Sequence, residues 1–108
     1  MGAEKAFEDK IKRFLKARGC YFVKFFANRM TKTGVPDILA CVRGRWVAIE
    51  VKAANGKPSP LQLWNREEIR RAGGIAIVLY PHQFDEFKEL IRLIEEGEFE
   101  HYMQFRFD

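Results

Sequence analysis

Asp37, Glu50 and Lys52 are spaced so that one short hairpin would gather two carboxylates and an ammonium. Trp46 to Ala53 reads as a strand, and strand alternation puts Trp46, Ala48, Glu50 and Lys52 on one face and Val47, Ile49, Val51 and Ala53 on the other. An acid and a base therefore interrupt a buried-looking strand side by side. The preceding strand, Asp37 to Val42, joins it across Arg43-Gly44-Arg45. A two-residue turn at Gly44 and Arg45 sets Arg43 opposite Trp46, Leu39 opposite Glu50 and Asp37 opposite Lys52, with the three ionisable groups on one face. A three-residue turn sets Asp37 opposite Val51 on the wrong side, so the chemistry demands an even-numbered loop or a compensating bulge.

Two carboxylates converging at a strand end, with a main-chain carbonyl such as that of Val51, make a hard oxygen site suited to magnesium or manganese. Phosphodiester hydrolysis uses such an ion to polarise the phosphoryl oxygen and stabilise the leaving oxygen. Lys52, one pleat away, is placed to orient water or offset charge in the transition state. Each residue also has a plainer role. An E-x-K pair on a strand is a common surface salt bridge, and Asp after Pro is a common turn residue.

The remaining elements must hold these side chains in place. Residues 4 to 18 read as an amphipathic helix with Phe7, Ile11, Phe14 and Leu15 at helical spacing and Gly19 as its stop. Glu8 lies on the same stripe, where an apolar residue is expected. Tyr21 to Ala27 reads as a strand and Asn28 to Pro36 as a basic loop. Ser59, Pro60 and Gln62 form an S-x-x-Q capping box that starts a helix running to Ala72, before Gly73-Gly74. Gln62 serves either as capping partner alone or beside the site as well. Ile75 to Tyr80 is a continuous apolar run, expected in mid-sheet. Phe84, Phe87, Leu90, Ile91 and Ile94 then define a last helix ending at Gly97. The tail alternates, with Phe99, Met103, Phe105 and Phe107 on one side, and is expected as an edge strand or an arm over a partner subunit. The order α-β-β-β-α-β-α plus tail strand predicts a mixed α/β fold.

The 108 residues and 47% hydrophobic content fit one domain, 1–108, and its fifteen aromatic residues supply core bulk without staples. Cys20 and Cys41 show neither zinc spacing nor a disulfide framework, which points to reduced, buried thiols in a cytosolic protein. No apolar run reaches the roughly 18 residues of a membrane span. Residues 1 to 33 carry nine basic and three acidic residues, residues 34 to 80 seven and four, and residues 81 to 108 three and eight. A polyanion would meet the first two thirds and avoid the last. Arg29, Lys32, Lys57, Arg66 and Arg70 are the candidate phosphate contacts.

The segments G-V-P-D at 34 to 37, I-E-V-K at 49 to 52 and S-P-L-Q-L-W at 59 to 64 resemble, in order, those of the PD-(D/E)xK nuclease superfamily, and within it the VRR-NUC group of virus-type replication and repair nucleases. With the N-terminal helix the likeness spans nearly the whole chain. It implies a restriction-endonuclease-like core, magnesium-dependent hydrolysis of DNA, and catalytic roles for Asp37, Glu50 and Lys52. It further implies a place for Glu8 in the metal shell and for Gln62 beside it. Stand-alone members of this size resemble archaeal Holliday junction resolvases, which pair as homodimers, so branched DNA is the implied substrate. The Phe-rich tail and last helix offer the expected interface. A flap- or nick-cutting nuclease and a non-catalytic DNA-binding module are the alternatives. The setting implied is the cytosol of a bacterial cell or phage-infected host.

Overall fold

The computed structural model of the chain describes residues 2–26 and 33–108. Its elements are α1 (Ala3–Ala17), β1 (Tyr21–Lys24), β2 (Ile38–Val42), β3 (Arg45–Val51), α2 (Pro60–Arg71), β4 (Ile75–Leu79) and α3 (Phe84–Glu95), followed by a 3₁₀ helix, His101–Phe107. The strands form one sheet in the order β1-β2-β3-β4. The first three are antiparallel neighbours, whereas β4 lies parallel to β3. A parallel neighbour needs a crossover, and α2 supplies it.

The β2–β3 hairpin sets the positions of the acidic residues. Its turn consists of Arg43 and Gly44, with φ of 49° and 80°, so that Val42 pairs with Arg45. Both central residues of a type I′ turn need positive φ, and glycine is favoured at the second. This places the turn one residue earlier than the Gly44-Arg45 expected from sequence. The count stays even, so the faces are kept. Asp37, expected opposite Lys52, instead falls opposite Glu50 when the register is continued by one place.

One sheet face carries Ile38, Ala40, Val42, Val47, Ile49, Val51, Ile75, Ile77 and Leu79 against Phe7, Ile11 and Leu15 of α1 and Phe87, Leu90, Ile91 and Ile94 of α3. Burying a side chain of this kind contributes about 1.5–3 kcal/mol, so this layer is the main store of stability. Among the described residues, the other face meets α2 chiefly over β4 and β3. Tyr21 and Val23 of β1 and Trp46, at the start of β3 beside the end of α2, remain exposed.

Two expectations need correction. The apolar run in β4 is buried at all five positions, yet β4 ends the strand order instead of sitting in mid-sheet. The tail explains how this is possible, because it forms the 3₁₀ helix against β4 and is neither a strand nor an arm. Gln104 Oε1 accepts hydrogen bonds from the Ala76 N–H (3.0 Å) and from Arg70 Nε (3.1 Å), closing part of the open edge. Phe99, Met103 and Phe107 turn inward with Gln104, while Phe105 is exposed. Gln104 and Phe107, three residues apart, fall on one face of the 3₁₀ turn and are its buried pair. The apolar stripe of α3 and much of the tail are thus consumed by the chain's own core and do not supply the expected partner surface.

Gln104→Ala leaves the Ala76 amide without its acceptor. Urea denaturation should show a loss of about 2 kcal/mol, with faster hydrogen exchange at Ala76.

Candidate active site

Glu50 is in the sheet interior, 5% exposed, on the face of β3 covered by α2. Its Oε2 accepts from Gln62 Nε2 at 3.1 Å and lies 3.5 Å from Lys52 Nζ. Its Oε1 is buried with no hydrogen-bond partner. A buried carboxylate pays heavily for ionisation. Burial first, and then the neighbouring charge of Asp37, push the Glu50 pKa up to about 8, with Lys52 opposing.

Gln62 reaches Glu50 because the capping box fixes its backbone. Its N–H donates to Ser59 Oγ at 3.1 Å and its Oε1 accepts from the Ser59 N–H at 2.9 Å, which leaves Nε2 for Glu50. The two roles open from sequence are therefore held together by one side chain.

Asp37 lies just before the first residue of β2. Its Oδ2 accepts from the Val51 N–H at 2.9 Å, and its own carbonyl accepts from the Phe25 N–H at 2.8 Å. Two further places along the register set Val51 opposite Pro36, which has no N–H for the Val51 carbonyl.

Lys24 was not singled out from sequence, though a lone lysine in an apolar strand was the available signal. Its Nζ donates to Glu8 Oε1 at 2.7 Å and lies 3.4 Å from Asp37 Oδ1. Register places Lys24 beside Ile38 and Ile49 on the face covered by α1, away from Glu50. Burial raises the pKa of Glu8, but hydrogen bonds from Lys24 and Lys12 outweigh it and the net shift is downward. Lys24 shows the converse: burial lowers its pKa, while Glu8 and then Asp37 take it upward overall. Glu8 therefore faces the site through Lys24. Among the described residues no group of three or more His, Cys, Asp or Glu side chains is disposed to hold a metal ion. The expected grouping of Glu8 with Asp37 and Glu50 around one ion is not formed, because the sheet and Lys24 intervene.

The five candidate phosphate contacts separate. Arg70 is half-buried and engaged within the chain's own structure, bonded to Asp108 at 2.7 and 2.9 Å and to the Ala76 carbonyl at 3.0 Å. Arg66 pairs with Glu67 at 3.0 Å and Asp108 at 3.2 Å. Both arginines serve the α2–tail junction. Lys57 is exposed on the loop after β3. Arg29 and Lys32 lie outside the described residues.

A four-stranded mixed sheet flanked by helices, with Asp37 and Glu50-x-Lys52 on adjoining strands, has the restriction-endonuclease-like fold of a PD-(D/E)xK-type nuclease. The model of the family described as archaeal Holliday junction resolvase (hjc) matches residues 2–77, and the chain belongs to this family. A search of the curated proteins finds no match. The matched stretch runs from α1 into β4 and contains every side chain of the site.

The Glu50 shift has a definite sign. Its folded pKa of about 8 exceeds the ordinary 4.5, so the stability it contributes is complete below pH 4.5 and is lost as pH rises toward 8. In metal-free buffer the chain should lose on the order of 5 kcal/mol across this window, and Glu50→Gln should flatten that part of the profile in thermal melts.

Proposed function

We propose that the chain is a divalent-metal-dependent endonuclease that hydrolyses phosphodiester bonds in four-way DNA junctions as a homodimer. The observation that carries this is Glu50, buried beside Asp37 with one oxygen unpartnered. A cation satisfies that oxygen and offsets both charges at once. Asp37, Glu50 and the Val51 carbonyl would hold it. Their all-oxygen character suits magnesium, with manganese as substitute. When bound, the ion supplies charge stabilisation for the scissile phosphoryl group and the leaving oxygen.

The chain's own groups do the rest. Lys52 brings an ammonium to the rim beside Glu50, where it orients attacking water and offsets charge on the phosphate. Gln62 fixes the rotamer of Glu50. Lys24, tied to Glu8, holds Asp37 from the α1 side, so Glu8 acts through Lys24. Lys57, Arg29 and Lys32 are the phosphate contacts retained in this reading. The acidic last third repels a polyanion and favours binding at the basic portion.

Resolving a junction takes two incisions, and one chain carries one such site, so two copies act together. The exposed Tyr21, Val23 and Trp46 support pairing through their face of the sheet. The likeness of the three motifs to VRR-NUC nucleases is retained as a subgroup reading. The setting is the cytosol, where branched DNA arises.

With labelled four-way junction and magnesium, Asp37→Ala and Glu50→Ala should each lower cleavage by at least about 10³-fold while gel-shift affinity for the junction persists. Preferred cutting of flaps or nicked duplex would replace the junction reading with a flap-type nuclease. Wild-type protein that binds DNA but leaves it intact in magnesium and manganese would leave a binding module. Trp46→Glu should convert the species in sedimentation from dimer to monomer.

A further inference from the structure

We infer that Asn65 is a positioning residue for Asp37, so that α2 holds both acidic residues from one helical face. Among the described residues, Asn65 is the only buried residue of α2, at 4% exposure. An amphipathic helix on a sheet ordinarily turns an aliphatic side chain to that place, because a buried amide is costly unless its hydrogens are used. Both are used here. Nδ2 donates to the Leu61 carbonyl at 2.9 Å and to the Thr33 carbonyl at 3.2 Å. The first bond lies within the helix; the second crosses to the segment that leads into Asp37.

The segment is shaped to receive it. Gly34 has φ of +82°, and a Cβ there would come within 2.8 Å of both Asn65 Nδ2 and Leu61 Cγ. Side chains are therefore excluded at Gly34 by both conformation and space. Pro36 then restricts Val35 to extended backbone, so with Gly34 packed against Asn65 and Leu61 the path from Thr33 to Asp37 has little slack. Three residues before Asn65, Gln62 donates to Glu50 Oε2. Positions i and i+3 adjoin on a helix. One turn of α2 thus fixes the glutamate through its side chain and the aspartate through its loop.

The inference rests on the reading of Asp37 and Glu50 as the cation-holding pair, but one readout does not need the metal. The Val51 N–H is bonded to Asp37 Oδ2, so its hydrogen exchange reports where that carboxylate is. In metal-free Asn65→Leu, Val51 exchange should accelerate about fivefold relative to Ile77. The manganese dissociation constant, by titration calorimetry, should rise about tenfold. KM for junction DNA should stay within about twofold while kcat falls.

A variant that only melts earlier, with Val51 exchange and manganese affinity as in wild type, would overturn the inference. Should Asn65→Leu not fold, Gly34→Ala strains the same contact and should give the same Val51 signature. In the wild type the Asn65 side-chain amide protons should exchange slowly, and fast exchange there also overturns it. Wild-type protein that takes up no manganese would sink the cation reading and leave the Val51 comparison standing.

Discussion

Placing the Glu50 carboxylate in the sheet interior, with Asp37 next to it and one oxygen unmatched, is the constraint around which the rest of the structure is arranged. An ionised carboxylate there costs several kcal/mol in an ordinary core. Every other residue at that depth on β3 and β4 is aliphatic. The groups around Glu50 only partly relieve this cost. Gln62 and Lys52 share Oε2, so the side chain is held in place but not neutralised. What results is a fixed, proton-hungry carboxylate at a rim, which is a ready ligand for a cation.

The sheet divides the surrounding charges into two sets. On the α2 side are Glu50, Lys52 and Gln62; on the α1 side are Glu8 and Lys24. Asp37, just before β2, is linked to both sets: it accepts from Lys24 on one side, and its charge acts on Glu50 on the other. This explains why Glu8 is buried in the apolar stripe of α1 without joining the other carboxylates. Its charge is matched by lysines, and it thereby holds Lys24 against Asp37.

The family match ends within β4, and the residues C-terminal to it have a structural task. β4 exposes an edge on its outer side, and the C-terminal 3₁₀ helix occupies it with Gln104 while Asp108 fixes Arg70. α3 completes the apolar layer beneath the sheet. Two arginines that looked like contacts for nucleic acid are engaged in that junction. The basic character of the chain is consequently narrower in space than in sequence.

The sequence by itself determined the order of helices and strands as far as α3, the capping box at Ser59, the apolar faces, and the even count of the β2–β3 hairpin loop, because these follow from periodicities of two and about 3.6 and from the parity of one loop. Parity is robust to a shift of the turn by one residue at each end, so the wrong turn position still gave the right face. Tertiary structure alone decided the rest. Whether Arg70 meets solvent or Asp108, whether the tail pairs as a strand or coils, and whether Glu8 meets Asp37 directly or through Lys24 all depend on partners far away in the chain. Asn65 was equally hidden, since a polar residue in a helix reads as solvated until the fold brings the Thr33 carbonyl against it.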